Sequence, residues 1–234
     1  MRQRILRHGK GVAGMYRLYG VEDFANLVVH MALEELAVPY EAVFLDEPGG
    51  ALKTPAHLAR HPLGLVPALE TPDGVIFETA AILLWLADRH GGMAPAVDDP
   101  ARGAFLSWYV FANNSLHTGA MDLIHPYRVA GDGLARAVAE GAHHRLRERL
   151  AVMEAQAATR PDWLRPEAPG ILGLYLSMLM RWVKAFPYAP DLAISVQDTP
   201  ALHAIATACE TRPAVIRAAA ANGLRGHFFT DPEV

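Results

Sequence analysis

The chain has 234 residues, 52% of them hydrophobic, and a formal net charge of −4. This charge gives no electrostatic reason to expect nucleic acid or an anionic membrane surface as a partner. The single cysteine, Cys209, excludes an internal disulfide framework and any CxxC redox or zinc motif. We therefore expect a cytoplasmic protein that binds neither nucleic acid nor membrane.

The first fourteen residues, "MRQRILRHGKGVAG", are basic and contain glycine. They lack the apolar segment of a secretory signal, and no stretch of the chain approaches the roughly 20 apolar residues that span a bilayer. We expect residues 1–14 to form a flexible arm, or Met15 to be the true start of the protein.

Residues 15–90 carry alternating strand and helix signals in the order β-α-β-α-β-β-α. The segment "VPALETPDGVIF" predicts a hairpin around its TPDG turn, although Pro67 cannot donate to a strand ladder. Thr54 and Pro55 suit the N-cap and the first position of a short helix. This order in so few residues implies a mixed sheet with helices on its faces. The predicted strands are 15–19, 40–45, 66–70 and 75–77, and the predicted helices are 26–36, 55–60 and a third that starts at residue 80.

The strand signals end at residue 90. Residues 91–100, "GGMAPAVDDP", have the composition of a linker. Beyond them the periodicity is helical, with separators rich in proline and glycine. The sequence thus predicts an α/β domain at 15–90, a linker at 91–100 and an all-helical domain at 101–234. The helices of that last domain are predicted at 102–127, 134–158, 170–185, 200–210 and 213–221.

Three sequence blocks occur in the order and spacing of a known family: "MALEELAVPYE", "LKTPAHLARHPLGLVPALETPDG" and "FETAAILLWLAD". They resemble the cytosolic glutathione transferases from Met15 onward, with features similar to the beta and phi classes. The resemblance implies a thioredoxin-like N-terminal domain with a mixed four-stranded sheet, followed by an all-α helical bundle. It also implies a homodimer that uses glutathione as co-substrate, needs no metal and serves detoxification.

The resemblance also assigns the glutathione-binding residues. The family has a cis peptide bond before the proline of VPAL, here Pro67, so that the backbone of Val66 pairs with the cysteinyl part of glutathione. Glu78 would bind the γ-glutamyl amino group, and Thr79 would bind its carboxylate at the positive end of a helix. Lys53 matches a family lysine that pairs with the glycyl carboxylate.

The residue that activates the thiol is harder to assign. The family places a Tyr, Ser or Cys between the first strand and the first helix, but "LYGVEDFANLVVHMALEEL" contains neither Ser nor Cys. Asp23 would repel a thiolate, so we expect it to be the N-cap of the first helix. Asn26, in the first helical turn, and Tyr19, at the end of the first strand, remain as donors. We favour Asn26 narrowly.

The helical domain offers a pocket for the second substrate. The segment "WYVFANNSLHTG" resembles the beta-class pattern in which a histidine faces the active site. Trp108, Phe111 and His117 match that pattern, whereas Thr118 replaces its lysine. We expect Asn114 to join the three matching residues in the wall of an electrophile pocket, with His117 contributing to catalysis.

Two further features concern a pair of histidines and a pair of glycines. His57 and His61 have the i, i+4 spacing of a metal pair on a helix, but no third ligand is evident, so we predict no metal site. Gly170 and Gly173 stand where the family has a capping Ser or Thr and an Asp.

These observations predict a transferase that reacts the glutathione thiolate with a small hydrophobic electrophile. Two alternatives stay open: a glutathione-dependent isomerase or peroxidase on the same scaffold, and a non-catalytic glutathione-binding protein that lacks the activator.

Overall fold

The computed structural model describes residues 4–8 and 15–232 of the chain. Its sheet has five strands: β1 Arg4–His8, β2 Tyr16–Gly20, β3 Tyr40–Phe44, β4 Ala68–Thr71 and β5 Gly74–Phe77. They lie in the order β1-β3-β2-β4-β5, and the sheet is mixed because β2 and β3 are parallel and the other pairs antiparallel. The thioredoxin-like architecture predicted from the sequence is therefore present.

Strand β1 corrects the expectation of four strands and of a flexible arm at residues 4–8. This segment pairs antiparallel with β3 along the edge of the sheet that the prediction left open. Arg4 lies 4.5 Å over the ring of Phe44 and 2.6 Å from a carboxylate oxygen of Glu22. A short, basic segment gives little strand signal by itself, and its pairing depends on the free backbone groups of β3. The rest of the arm, residues 1–3 and 9–14, lies outside the described residues.

The chain divides into two compact units in a way that differs from the predicted boundary. The first contains the residues up to Gly91 together with Arg212–Arg225, and the second contains Gly92–Thr211 with the residues from Gly226 onward. The helix after Arg212 thus belongs to the α/β unit. The helices of this first unit are α1 Asn26–Glu35, α2 Pro55–Leu58, α3 Thr79–His90 and α10 Pro213–Ala221, with a short 3-10 turn at Ala51–Lys53.

Helix α10 is held to α1 by charged side chains. Arg212 donates to both carboxylate oxygens of Glu35, at 2.8 and 2.6 Å. Arg217 donates to Glu34 at 2.7 Å. Paired guanidinium–carboxylate contacts fix direction as well as distance, so they align the two helices.

The predicted N-cap is present at the start of α2 but not at the start of α1. Thr54 caps α2 by accepting a hydrogen bond from the backbone N–H of His57 at 3.3 Å, as predicted. The prediction that Asp23 caps α1 was wrong. Ala25 is the N-cap of α1 and makes no side-chain cap bond, while Asp23 turns the chain with a φ of 58°.

Apart from an isolated bridge between Arg165 and Ala168, the secondary structure in the described part of the second unit is helical. Its long first helix contains a π-helical turn, which the sequence does not reveal. Glu154 caps the helix Pro200–Glu210 from another helix by accepting from the N–H groups of Ala201 and Leu202 at 2.7 and 3.0 Å. None of the helices in the described part of the chain is long and apolar enough to cross a membrane. The helices are α4 Arg102–Phe111, the π turn Ala112–His117, α5 Thr118–Ile124, α6 Tyr127–Ala130, α7 Ala135–Ala158, α8 Gly170–Ala185 and α9 Pro200–Glu210, with 3-10 turns at Asp132–Leu134, Pro190–Leu192 and Val196–Asp198.

The two unexpected glycines at the start of α8 have a steric reason. Gly170 has a φ of 58°, and a Cβ there would lie 2.6 Å from the carbonyl oxygen of Met93. That carbonyl accepts from the N–H of Ile171 at 2.9 Å. A Cβ on Gly173 would lie 2.5 Å from the Cβ of Pro169. Backbone contacts replace the expected capping side chains, and they require residues without a Cβ.

Candidate functional site

The central feature of the first unit is the corner between Val66 and Thr79. The Val66–Pro67 peptide bond is cis. Strand β4 starts only at Ala68, so Pro67 lies outside the ladder that it could not have joined. Ala68 pairs with Phe77 of β5, so the chain returns beside Pro67 just before Glu78. The hairpin therefore brings two distant parts of the predicted glutathione site together.

The start of α3 has the properties of an anion-binding helix end. Glu78 is its N-cap, with a φ of 73° and an exposed side chain that makes no cap bond. Thr79, the first helical residue, is buried. Positive φ is uncommon for a residue with a Cβ and is often found at ligand sites. The helix dipole makes this end favourable for a carboxylate, while the Glu78 side chain supplies a negative charge beside it.

Three side chains hold the loop that leads into Val66. Lys53 Nζ donates to the carbonyl oxygens of Leu63 and Gly64, at 2.8 and 3.5 Å. The His57 Nε2 lies 2.8 Å from the carbonyl oxygen of Leu65. His61 Nδ1 accepts from the N–H of Leu63 at 3.3 Å. His57 and His61, four residues apart, thus both bind the loop in this structure.

The charges around this corner act on one another. Burial lowers the pKa of His61, while the carboxylate of Glu78 acts in the opposite direction. His57 and Lys53 add to the lowering, so these four side chains lie within electrostatic reach of each other. Lys53 is exposed and an ammonium has three donors. It can therefore bind a ligand carboxylate while it keeps its loop contacts.

Tyr19, the less favoured thiol donor, belongs to a charged cluster on the sheet. Its hydroxyl donates to Glu70 at 3.0 Å, and the guanidinium of Arg60 lies 4.1 Å from the centre of its ring. Arg60 and Arg17 also pair with Glu70, at 2.7 and 3.3 Å. Burial raises the pKa of Tyr19. A phenol has one hydrogen to donate, and in this structure Glu70 accepts it.

Asn26, the favoured thiol donor, lies in a buried polar cluster. It is 1% exposed. Its Oδ1 accepts from the N–H of Val21 at 2.9 Å, and its Nδ2 donates to Asn222 of the α10 end at 3.2 Å. Asn222 also contacts His30 at 3.1 Å. One hydrogen of the Asn26 amide is committed to this cluster, and an amide carries two.

His117 is part of a hydrogen-bonded chain in the second unit. Its Nδ1 lies 2.5 Å from the hydroxyl of Tyr175, which donates to Asn113 Oδ1 at 3.0 Å. The imidazole also packs edge-on against Trp182, with ring centres 5.5 Å apart. Burial lowers the pKa of His117 to about 4, so the imidazole is neutral at pH 7.

The other predicted pocket residues lie on the same long helix. Trp108 and Phe111 pack edge-on, with ring centres 5.6 Å apart, and both are half-buried. Asn114 is exposed and accepts from the Asn113 amide at 2.9 Å. Through that bond Asn114 is connected to His117, whereas Trp108 and Phe111 form a separate aromatic pair.

Sequence reasoning missed several residues that support these groups. Tyr175 and Asn222 lie far along the chain from the side chains they contact, and no local pattern signals such partners. His57 and His61 have the spacing of a helical pair, but their side chains contact the loop at Leu63 and Leu65. Within the residues that the structure describes, no cluster of three or more His, Cys, Asp or Glu side chains could hold a metal ion.

Comparison with known proteins gives consistent matches. A family profile described as Glutathione S-transferase, N-terminal domain matches residues 27–89. Glutathione S-transferase 3 of Zea mays is 31% identical over 150 residues, which are 61% of this chain and 67% of the maize protein. Glutathione S-transferase GstB of Escherichia coli K12 is 35% identical over 106 residues, 44% of this chain. That match spans about half, 51%, of the length of GstB.

A solved structure extends the similarity to nearly the full chain. The glutathione S-transferase of a sphingomonad, solved in complex with glutathione, superposes with a TM-score of 0.70 at 29% identity. The superposition covers 89% of this chain and 100% of that one. The similarity therefore includes both the α/β unit and the helical unit.

Proposed function

Because the chain belongs to the glutathione S-transferase family, we propose that it binds glutathione and reacts the glutathione thiolate with a small hydrophobic electrophile. The observation that carries this proposal is the corner where the chain entering β4 lies beside the uncapped start of α3. The backbone of Val66 would pair with the cysteinyl part of glutathione as an added strand. The two ends of the tripeptide would meet the charged side chains on either side.

Each charged group of glutathione has a proposed partner. Glu78 would bind the γ-glutamyl amino group, and Thr79 with the α3 dipole would bind the neighbouring carboxylate. Lys53 would bind the glycyl carboxylate with the hydrogen that its loop contacts leave. The electrophile would lie against Trp108, Phe111, Asn114 and His117. We also propose that the protein is cytoplasmic and forms a homodimer. Analytical ultracentrifugation of the purified chain would test the dimer.

The thiol needs a donor that stabilises its charged form. A cysteine-type thiol with a pKa of about 8.5 is only a few per cent ionised at pH 7. A hydrogen bond to a charged group stabilises it by roughly 1.5–3 kcal/mol, which is about one to two pKa units. We propose Asn26 as the donor ahead of Tyr19, because its amide has a second hydrogen while the Tyr19 hydroxyl donates its only one to Glu70.

A second candidate function is glutathione binding without catalysis. It is supported by the burial of Asn26, which is 1% exposed. A side chain this enclosed must move before it can reach the sulfur of a ligand. Ultraviolet absorbance of the bound thiolate against pH distinguishes the two functions. A thiol pKa depressed below about 7.5 supports the transferase, and an unchanged value near 8.5 supports the binding protein.

The binding site itself is tested by replacing Glu78. We expect Glu78→Ala to weaken glutathione binding by about 1.5–3 kcal/mol, because the amino group of the ligand loses its charged partner. Isothermal titration calorimetry measures the change.

The matched control is Glu47→Ala, which removes an exposed carboxylate from the loop after β3. It should bind glutathione as the wild type does. Equal affinity of the Glu78 variant and the wild type would show that the γ-glutamyl end is bound elsewhere. A chlorodinitrobenzene assay on the same samples reports transferase activity.

A further inference from the structure

The π-helical turn of the second unit carries a chain of hydrogen bonds with a single direction. Asn113 Nδ2 donates to Asn114 Oδ1 at 2.9 Å, which leaves Asn113 Oδ1 as an acceptor. Tyr175 donates its hydroxyl hydrogen to that oxygen at 3.0 Å. The Tyr175 oxygen, 2.5 Å from His117 Nδ1, must then accept. The hydrogen between them therefore belongs to Nδ1 of His117.

This direction determines what the other nitrogen of the ring offers. A neutral imidazole carries one hydrogen, so with Nδ1 protonated, Nε2 has a free lone pair. Burial keeps the ring neutral at pH 7. In this state Nε2 accepts hydrogen bonds and cannot donate one to a thiolate. Its partner must be a group that carries an O–H or N–H.

We propose that Asn113 and Tyr175 are positioning residues that fix the Nδ1–H tautomer of His117, so that Nε2 selects acceptor substrates with a hydrogen-bond donor. The selection rests on the proposed transferase function, whereas the tautomer does not. Two observations support a built arrangement. The chain lies on a π-helical turn, Ala112–His117, of a kind often found at functional sites. Tyr175, which connects its two ends, is fully buried.

The tautomer is measured directly by two-dimensional NMR of the histidine ring nitrogens in the full-length protein at pH 7. Wild type should show His117 with a protonated Nδ1 and an unprotonated Nε2. Tyr175→Phe should release the ring to a mixture of tautomers. Asn113→Ala removes the acceptor of the Tyr175 hydroxyl, whose hydrogen can then turn to Nδ1, and should shift the ring toward Nε2–H.

A matched control lies in the same unit. His125 Nδ1 is 3.1 Å from the hydroxyl of Tyr127, so Tyr127→Phe removes a histidine–tyrosine contact at an exposed position. It should leave the ring signals of His117 unchanged. An Nε2–H tautomer of His117 in the wild type would overturn the proposed role of Asn113 and Tyr175. So would His117 signals that stay unchanged in either Tyr175→Phe or Asn113→Ala.

The selectivity is measured with two electrophiles that are identical except at one position. One carries a free hydroxyl there, and the other carries the methyl ether of that hydroxyl. The wild type should prefer the hydroxyl compound in kcat/KM by roughly five- to tenfold, the effect of one hydrogen bond. Tyr175→Phe and Asn113→Ala should reduce that ratio toward one, without changing the KM for glutathione. A wild-type ratio of one overturns the selectivity. Absence of turnover with both compounds and with chlorodinitrobenzene overturns the transferase as well, and the NMR result still decides the tautomer of His117.

Discussion

Single side chains in this protein have roles that their positions in the sequence do not reveal. Asn26 is the clearest case, because it packs directly on Gly20, where an added Cβ would lie 2.3 Å from the Asn26 side chain. Its amide satisfies the N–H of Val21 and pairs with Asn222. A buried group that is paired in this way contributes to stability whatever it does in catalysis.

We predict that Asn26→Ala lowers the free energy of unfolding by about 1–3 kcal/mol, because it leaves a backbone N–H and Asn222 without their partner. Urea unfolding followed by circular dichroism measures the loss. Asn114→Ala is the control, since Asn114 is exposed, and it should change stability by less than about 0.5 kcal/mol. If the two variants unfold alike, the buried cluster does not stabilise the fold.

At the scale of elements, charged and polar side chains join the strands β2 and β4 in addition to their backbone pairing. Glu70 of β4 accepts from Tyr19 and Arg17 of β2 and from Arg60. Burial acts to raise the pKa of Glu70, but the hydrogen bonds from Arg60 and Tyr19 outweigh it, so the pKa lies below its ordinary value of 4.5. The folded state therefore favours the ionised carboxylate.

This shift predicts a pH dependence of stability. A carboxylate with a lowered pKa stabilises the fold fully above its ordinary value and loses that contribution as the pH falls through the lowered pKa. Glu70→Gln should therefore be less stable than wild type at pH 7, and the difference should shrink between about pH 5 and pH 3. Urea midpoints at several pH values test this.

The control for this series is Glu47→Gln, on the exposed loop after β3, which should follow the wild-type profile. A constant difference between Glu70→Gln and wild type across the range would mean that ionisation of Glu70 does not contribute.

The start of α8 gives a second prediction for an element. Gly170→Ala should lower stability by about 1–3 kcal/mol, because the added Cβ would meet the Met93 carbonyl at a positive φ. Gly103→Ala, on α4, is the matched control because its Cβ would meet nothing within 4 Å. It should be neutral or stabilising by up to about 1 kcal/mol. Thermal unfolding of both variants measures this, and equal changes would contradict the steric explanation.

At the scale of the whole molecule, the division into units does not follow the order of the chain. Helix α10 lies near the C-terminus but belongs to the α/β unit, and Asn222 at its end meets Asn26 across 196 positions of sequence. The residues after it return to the helical unit, where Glu210 accepts from the N–H groups of Phe229 and Thr230.

This division predicts which region each C-terminal substitution loosens. Asn222→Ala should speed hydrogen exchange of the α1 amides, because α1 loses a buried partner. Thr230→Ala, which removes a bond to Glu210 in the other unit, should leave α1 unchanged and loosen the last residues. Hydrogen-exchange mass spectrometry of both variants decides. Faster exchange of the α1 amides in Thr230→Ala would be evidence against the division into these two units. Unchanged exchange of the α1 amides in Asn222→Ala would be evidence against it as well.

The sequence by itself determined the family, the mixed sheet and the position of most helices, because hydrophobic periodicity and turn residues act over a few neighbouring positions. It also marked the corner at Pro67, Glu78 and Thr79, since those residues fall in contiguous blocks. The strand at residues 4–8 escaped because its pairing depends on a distant edge.

Only the tertiary structure decided how the polar side chains are used. The hydrogen of Tyr19 goes to Glu70, Asn26 meets Asn222, and His117 meets Tyr175. Each pair is joined by folding, from residues between 51 and 196 positions apart. A side chain's donors and acceptors are satisfied by whatever lies beside it in space, and no local pattern in a single sequence encodes that neighbour.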